Sequence, residues 1–79
     1  MNYDRNKVDD MLLALLHLTA FDDGGYTGAW KGHDWDVMER LHKSGCISDP
    51  MGKAKSVALT EEGERRAQEL FERYFGLSR

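Results

Sequence analysis

Apolar residues recur at helical spacing from Val8 through Met11, Leu12 and Leu15 to Leu18, with Thr19 on the same face. This predicts a first helix from about Asp4–Arg5 to Ala20. Asp9 and Asp10 lie toward its start, where carboxylates suit the positive end of the helix dipole. Leu13, Ala14 and Leu16 fill the other side, so between Met11 and Leu18 only His17 interrupts the apolar surface. A helix apolar nearly all round must be covered on more than one face.

The helical pattern breaks where Gly24, Gly25, Gly28 and Gly32 enter. Residues 22–33 are expected to form a loop. Tyr26, Trp30 and nearby Trp35 have large apolar area to bury, so the loop should fold back on the body. A second helix is expected over residues 35–44, capped by Asp34 or by Asp36, the latter with Glu39 three residues on. Met38, Leu41 and Gly45 share a stripe with Trp35, and Gly45 suits a left-handed helix terminus. Cys46-Ile47-Ser48 and the alternating Lys55–Leu59 then flank Asp49-Pro50-Met51-Gly52, which has good turn chemistry. They predict a two-stranded β-hairpin.

Thr60 is a strong N-cap, and Glu61, Glu62 and Glu64 load the first turn of a third helix. Gly63, Ala67, Leu70, Phe71, Tyr74 and Phe75 form one stripe along it, and Gly76 ends it. Gly63 lowers helix propensity by about 1 kcal/mol relative to alanine, so a close backbone approach is the reason to expect it there. The expected core is Leu12, Leu15, Leu16, Trp35, Met38, Leu41, Ile47, Val57, Leu59, Ala67, Leu70, Phe71 and Tyr74. The fold class is α+β, mainly α, in a single domain over residues 1–79.

Residues 38–67 resemble the second half of a winged helix-turn-helix domain. Leu41, Gly45 and Ile47 stand where that family's recognition helix ends, and Leu59, Thr60 and Gly63 where its wing passes into the C-terminal helix. The resemblance implies a β-hairpin wing over residues 46–59. Between Ala20 and Asp34 there is no room for a complete positioning helix, so the helix-turn-helix is truncated. The longer stretch 29–63 also resembles a family of small bacterial proteins of unknown function, which implies no activity.

Composition narrows the function classes. Seventy-nine residues bury only about 60% of their unfolded surface, and chains of this size usually need a staple or a partner. The one cysteine, Cys46, rules out an intrachain disulfide and an all-cysteine metal site and suits a reducing compartment. No apolar run approaches the ~18 residues that span a bilayer, and the polar start is unlike a signal peptide. The expected location is the cytoplasm. Net charge is −3, so a general basic field for phosphates is absent.

Two kinds of partner come into view. Self-association as a homodimer follows from the all-round apolar first helix, with Leu13, Leu16, His17, Phe75 and Leu77 as interface candidates. Double-stranded DNA is the alternative, contacted through helix 35–44 and wing 46–59 by Arg40, His42, Lys43, Lys53 and Lys55, with Lys31 nearby. Asp34, Asp36, Glu39 and Asp49 are interleaved with these cations and repel the same phosphates. The aromatic segment (Phe21, Tyr26, Trp30 and Trp35, with Lys31 and His33) reads first as satellite core and second as a recognition surface. His42 and Cys46 are four apart, but Gly45 ends the helix between them and no third catalytic member is visible. His33, Asp34 and Asp36 do not converge as a metal site does, and residues 24–28 lack the ending of a phosphate loop. The expected class is a non-catalytic protein with no cofactor and no metal.

Overall fold

The computed structural model describes residues 1–77. Along these the elements are α1 (Arg5–Leu18), β1 (Phe21–Asp22), β2 (Thr27–Trp30), α2 (Trp35–Lys43), β3 (Ser56–Ala58) and α3 (Glu61–Phe75). Each helix starts on an oxygen cap. The Asp4 carboxylate accepts from the Lys7 N–H at 3.1 Å, and the Asp34 carboxylate from the Val37 N–H at 3.2 Å. Asp34, not Asp36, therefore caps α2. The Thr60 hydroxyl accepts from the Gly63 N–H at 2.9 Å and also donates to the Gly45 carbonyl at 2.6 Å. One side chain thus starts α3 and ties it to the exit of α2, where Gly45 takes the left-handed conformation (φ 83°).

Residues 22–33 are not one loop: Asp22 and Thr27–Trp30 are strand, and only residues 31–33 and the turn at 23–26 are irregular. β1 and β2 form a hairpin closed by Gly24 and Gly25, both at positive φ (64° and 110°), with the Asp23 N–H bonded to the Tyr26 carbonyl at 2.8 Å. Two glycines at the tip match the twist of the strands. β2 then pairs antiparallel with β3, setting Ala29 opposite Val57 and Trp30 opposite Ser56, so the sheet has the order β1-β2-β3.

The expected two-stranded wing is present in reduced form. Ile47 bridges Leu59, flanked by the bonds Ser48 N–H to Ala58 O (2.8 Å) and Thr60 N–H to Cys46 O (3.0 Å). Pairing stops there because the Ala58 N–H bonds the Ser48 hydroxyl at 2.9 Å in place of the backbone carbonyl, and Pro50, further along, has no N–H to donate. The result is an α+β, mainly helical domain with a three-stranded antiparallel sheet, compatible with a winged-helix-like arrangement. The β1–β2 hairpin occupies the stretch in which a positioning helix would stand.

The core lies between α1, α2, α3 and the inner face of the sheet. It holds Leu13, Ala14, Leu16, Ala29, Val37, Met38, Leu41, Cys46, Ile47, Val57, Leu59, Ala67 and Leu70. On α1 the expected core residue Leu16 is buried, but Leu13 and Ala14 take the places expected for Leu12 and Leu15, so the inward face is rotated from the expected one. Leu13 and Leu16 are 1% and 0% exposed, whereas Leu15 is 43% exposed and Leu12 only packs at the margin. On the inward side Asp9 also meets Arg40 of α2, and Asp10 meets Arg66 of α3, both consistent with this rotation. Trp35 and Tyr74, also expected in the core, are about half exposed. Trp35 opens α2 next to its cap, and Val37 takes the buried position instead. Gly63 is needed as expected, since a Cβ there would collide with the Cys46 carbonyl. No helix among the described residues is long and apolar enough to cross a membrane.

Candidate functional site

The five cations proposed for nucleic acid do not form one free basic surface. Arg40 makes a two-pronged contact with the Asp9 carboxylate, Nε to Oδ2 and Nη2 to Oδ1 both at 2.8 Å. The hydrogen bonds that Arg40 donates to Asp9 raise the guanidinium pKa further above its ordinary value. Arg40 therefore braces α2 against α1. The His42 ring nitrogen Nδ1 lies 3.0 Å from the Ile47 carbonyl and, as its donor, stitches α2 to the following segment. Lys43 pairs with Glu39 at 3.4 Å, an exposed contact. Of the five, only Lys53 and Lys55 stand exposed with no ion pair among the described residues. Lys31 is committed to structure: its ammonium donates to the Pro50 and Gly52 carbonyls at 2.7 and 2.9 Å, clamping the turn onto β2.

The dimer candidates are also rearranged. Leu13 and Leu16 lie sealed in the core and cannot contact a partner. His17 is half-buried with its ring centroid 5.4 Å from that of Phe71, and Phe71 stacks at the same distance on Phe75. The rotation of α1 places a different set outside. Val8, Leu15 and Leu18 are 37%, 43% and 62% exposed, with Met11 and Leu12 partly exposed beside them. Asp4, Lys7, Val8, Met11, Leu12 and Leu15 line a shallow, strongly apolar depression. Tyr74, Phe75 and Leu77 continue exposed apolar surface at the end of α3. The sequence signal for this face was the first spacing noted in α1; only its direction was misassigned.

A second exposed group lies on the sheet. Phe21 lies over Gly28, where a Cβ would come within 2.7 Å of the ring, and stacks on Trp30 with centroids 4.9 Å apart. Trp30 remains 56% exposed, so the aromatic segment is only partly satellite core. Tyr26 is held at the hairpin tip by its hydroxyl donating to Asp23 at 2.6 Å. That hydrogen bond, with the Asp23 charge, raises the Tyr26 pKa above 10.0.

The side chains with chemical potential do not converge. Cys46 is buried and its Sγ lies 3.5 Å from the Ser44 hydroxyl, while His42 faces the Ile47 carbonyl instead of the thiol. Among the described residues no three His, Cys, Asp or Glu side chains gather as a metal site. The cleft between α1, α2 and α3 carries the Asp9–Arg40 and Asp10–Arg66 pairs, whose charges cancel in place. Among the described residues, the outer face of α1 is an exposed apolar surface with no partner within the chain.

Residues 4–77 match a family described as a domain of unknown function (DUF6429). An uncharacterised protein of Sinorhizobium fredii, y4hR, is 51% identical over 75 residues, which cover 95% of this chain and 97% of that relative. No solved structure matches the chain.

Proposed function

The chain belongs to the DUF6429 family, a domain of unknown function, and from that premise we propose that it is a non-catalytic interaction module that self-associates. One observation carries the reading. α1 already contributes Leu13, Ala14 and Leu16 to the core, yet it turns a second apolar face to solvent at Val8, Leu15 and Leu18. Contiguous apolar surface of this kind marks association sites in small proteins. A second copy of the chain supplies the cover that 79 residues lack. Light scattering tests this: a mass near twice 9.1 kDa is expected, falling to 9.1 kDa in a Leu15→Glu variant. A wild-type protein that stays at 9.1 kDa at tens of micromolar removes the proposal.

A second reading is duplex DNA binding through α2 and residues 46–59, in a winged-helix arrangement. Exposed Lys53 and Lys55 favour it. Arg40 and His42 do not contribute, because both are spent on internal contacts. Salt-sensitive binding lost in Lys53→Glu/Lys55→Glu supports this reading, and no mobility shift with any duplex at low salt excludes it.

A further inference from the structure

The exposed face of α1 has a specific geometry. Val8, Met11, Leu15 and Leu18 are spaced three, four and three residues apart. That is the a-d-a-d order of a coiled-coil seam over the 14 residues of the helix, two heptads. Asp9, Leu13 and Leu16 run in the complementary four-three order on the roughly opposite side, and Leu13 and Leu16 are in the core. α1 thus carries two seams, one filled by its own domain and one empty. A seam of this narrow kind fits a single helix, and a two-fold pairing of identical chains closes on itself without leaving a second open surface.

Charge chooses the direction. A parallel pairing sets two Lys7 ammoniums and two positive helix N-termini side by side. An antiparallel pairing brings each Lys7 level with Thr19 of the other chain, beside the carbonyls that end its α1, where a cation is favoured. The seam alone is short of the ~800 Å² per partner typical of a stable interface. The contacts of α1 with α3 advance together along both helices, from Asp10–Arg66 to His17–Phe71. The end of α3, with exposed Tyr74, Phe75 and Leu77, therefore lies toward the C-terminal end of α1. In an antiparallel pair it comes level with the exposed Met1 and Tyr3 of the second chain and adds apolar area.

We infer that two copies of this chain pair antiparallel through the outer seam of α1, with Val8 against Leu18 and Met11 against Leu15 of the other copy. The inference rests on the self-association reading and specifies its surface and direction. Cysteine cross-linking tests it on the full chain, because native Cys46 is buried and Val8 and Leu18 are exposed positions whose replacement leaves the core intact. Val8→Cys chains mixed with Leu18→Cys chains are expected to form a disulfide-linked dimer at least tenfold faster than Val8→Cys chains alone. Met11→Cys mixed with Leu15→Cys is the second pair, and should behave in the same way. Efficient Val8→Cys self-linking makes the pairing parallel and overturns the inference. A dimeric mass by light scattering with none of these links places the contact elsewhere and also overturns it, while leaving self-association standing. A monomeric mass removes both.

Discussion

At the scale of single residues, Thr60 and Gly63 hold the most structure per atom. Thr60 caps α3 and bonds the exit of α2. Thr60→Ala is expected to lower the unfolding free energy by about 1–2 kcal/mol, measured by urea denaturation. Gly63→Ala poses two opposed effects. Alanine favours the helix by about 1 kcal/mol, but its Cβ meets the Cys46 backbone, which cannot swing aside as a side chain could. Overpacking of this kind costs about 1–3 kcal/mol, so the variant should be less stable; a more stable variant contradicts the close approach. Tyr26 offers a titration. Its pKa is raised in the folded chain by Asp23, so folding favours the neutral phenol. The associated stability is present below the unfolded value near 10 and is lost as pH rises through the folded value. An absorbance titration should show Asp23→Asn lowering the Tyr26 transition toward 10. Both Thr60 and Gly63 were legible in the sequence, because a cap and a helix-interior glycine each have few physical reasons to exist.

At the scale of elements, what could be read depended on whether the deciding contact was local. The caps and the glycine stop of α2 are local, and the three helices follow them closely. The Gly24-Gly25 pair is also a local hairpin signal. It was obscured because Gly28 and Gly32 made the whole stretch look structureless. Gly28 has another role, making room for the Phe21 ring. The pairing of β2 with β3 and the rotation of α1 are long-range. Two apolar stripes on one helix have the same period, and periodicity cannot say which is inside. The partners that pack against it from α2 and α3, Arg40 and Arg66 among them, lie far away in sequence. The phase of α1 makes a sharp prediction. Leu16→Ala should cost about 2–5 kcal/mol, as for a filled core position. Leu15→Ser, measured at dilution low enough to keep chains apart, should cost less than about 1 kcal/mol. Equal losses in thermal or urea unfolding contradict the assigned rotation.

For the whole molecule, the charge distribution and the apolar surface point in different directions. Two of the candidate DNA contacts have internal partners, Arg40 with Asp9 and His42 with Ile47, while Lys43 makes only an exposed pair with Glu39. Which cations are free is a tertiary property that a sequence does not display. The expectation of a partner was visible early, since a short chain with a helix apolar on both sides has too little mass to cover it. The buried candidates Leu13 and Leu16 were the wrong half of the right helix. Whether this chain pairs with its own copy across α1 is read by sedimentation equilibrium over a range of concentrations. Pairing requires a mass rising to twice 9.1 kDa in the wild type and held at 9.1 kDa in Leu15→Glu. A wild type that remains at 9.1 kDa throughout, or a Leu15→Glu variant that still reaches the doubled mass, contradicts it.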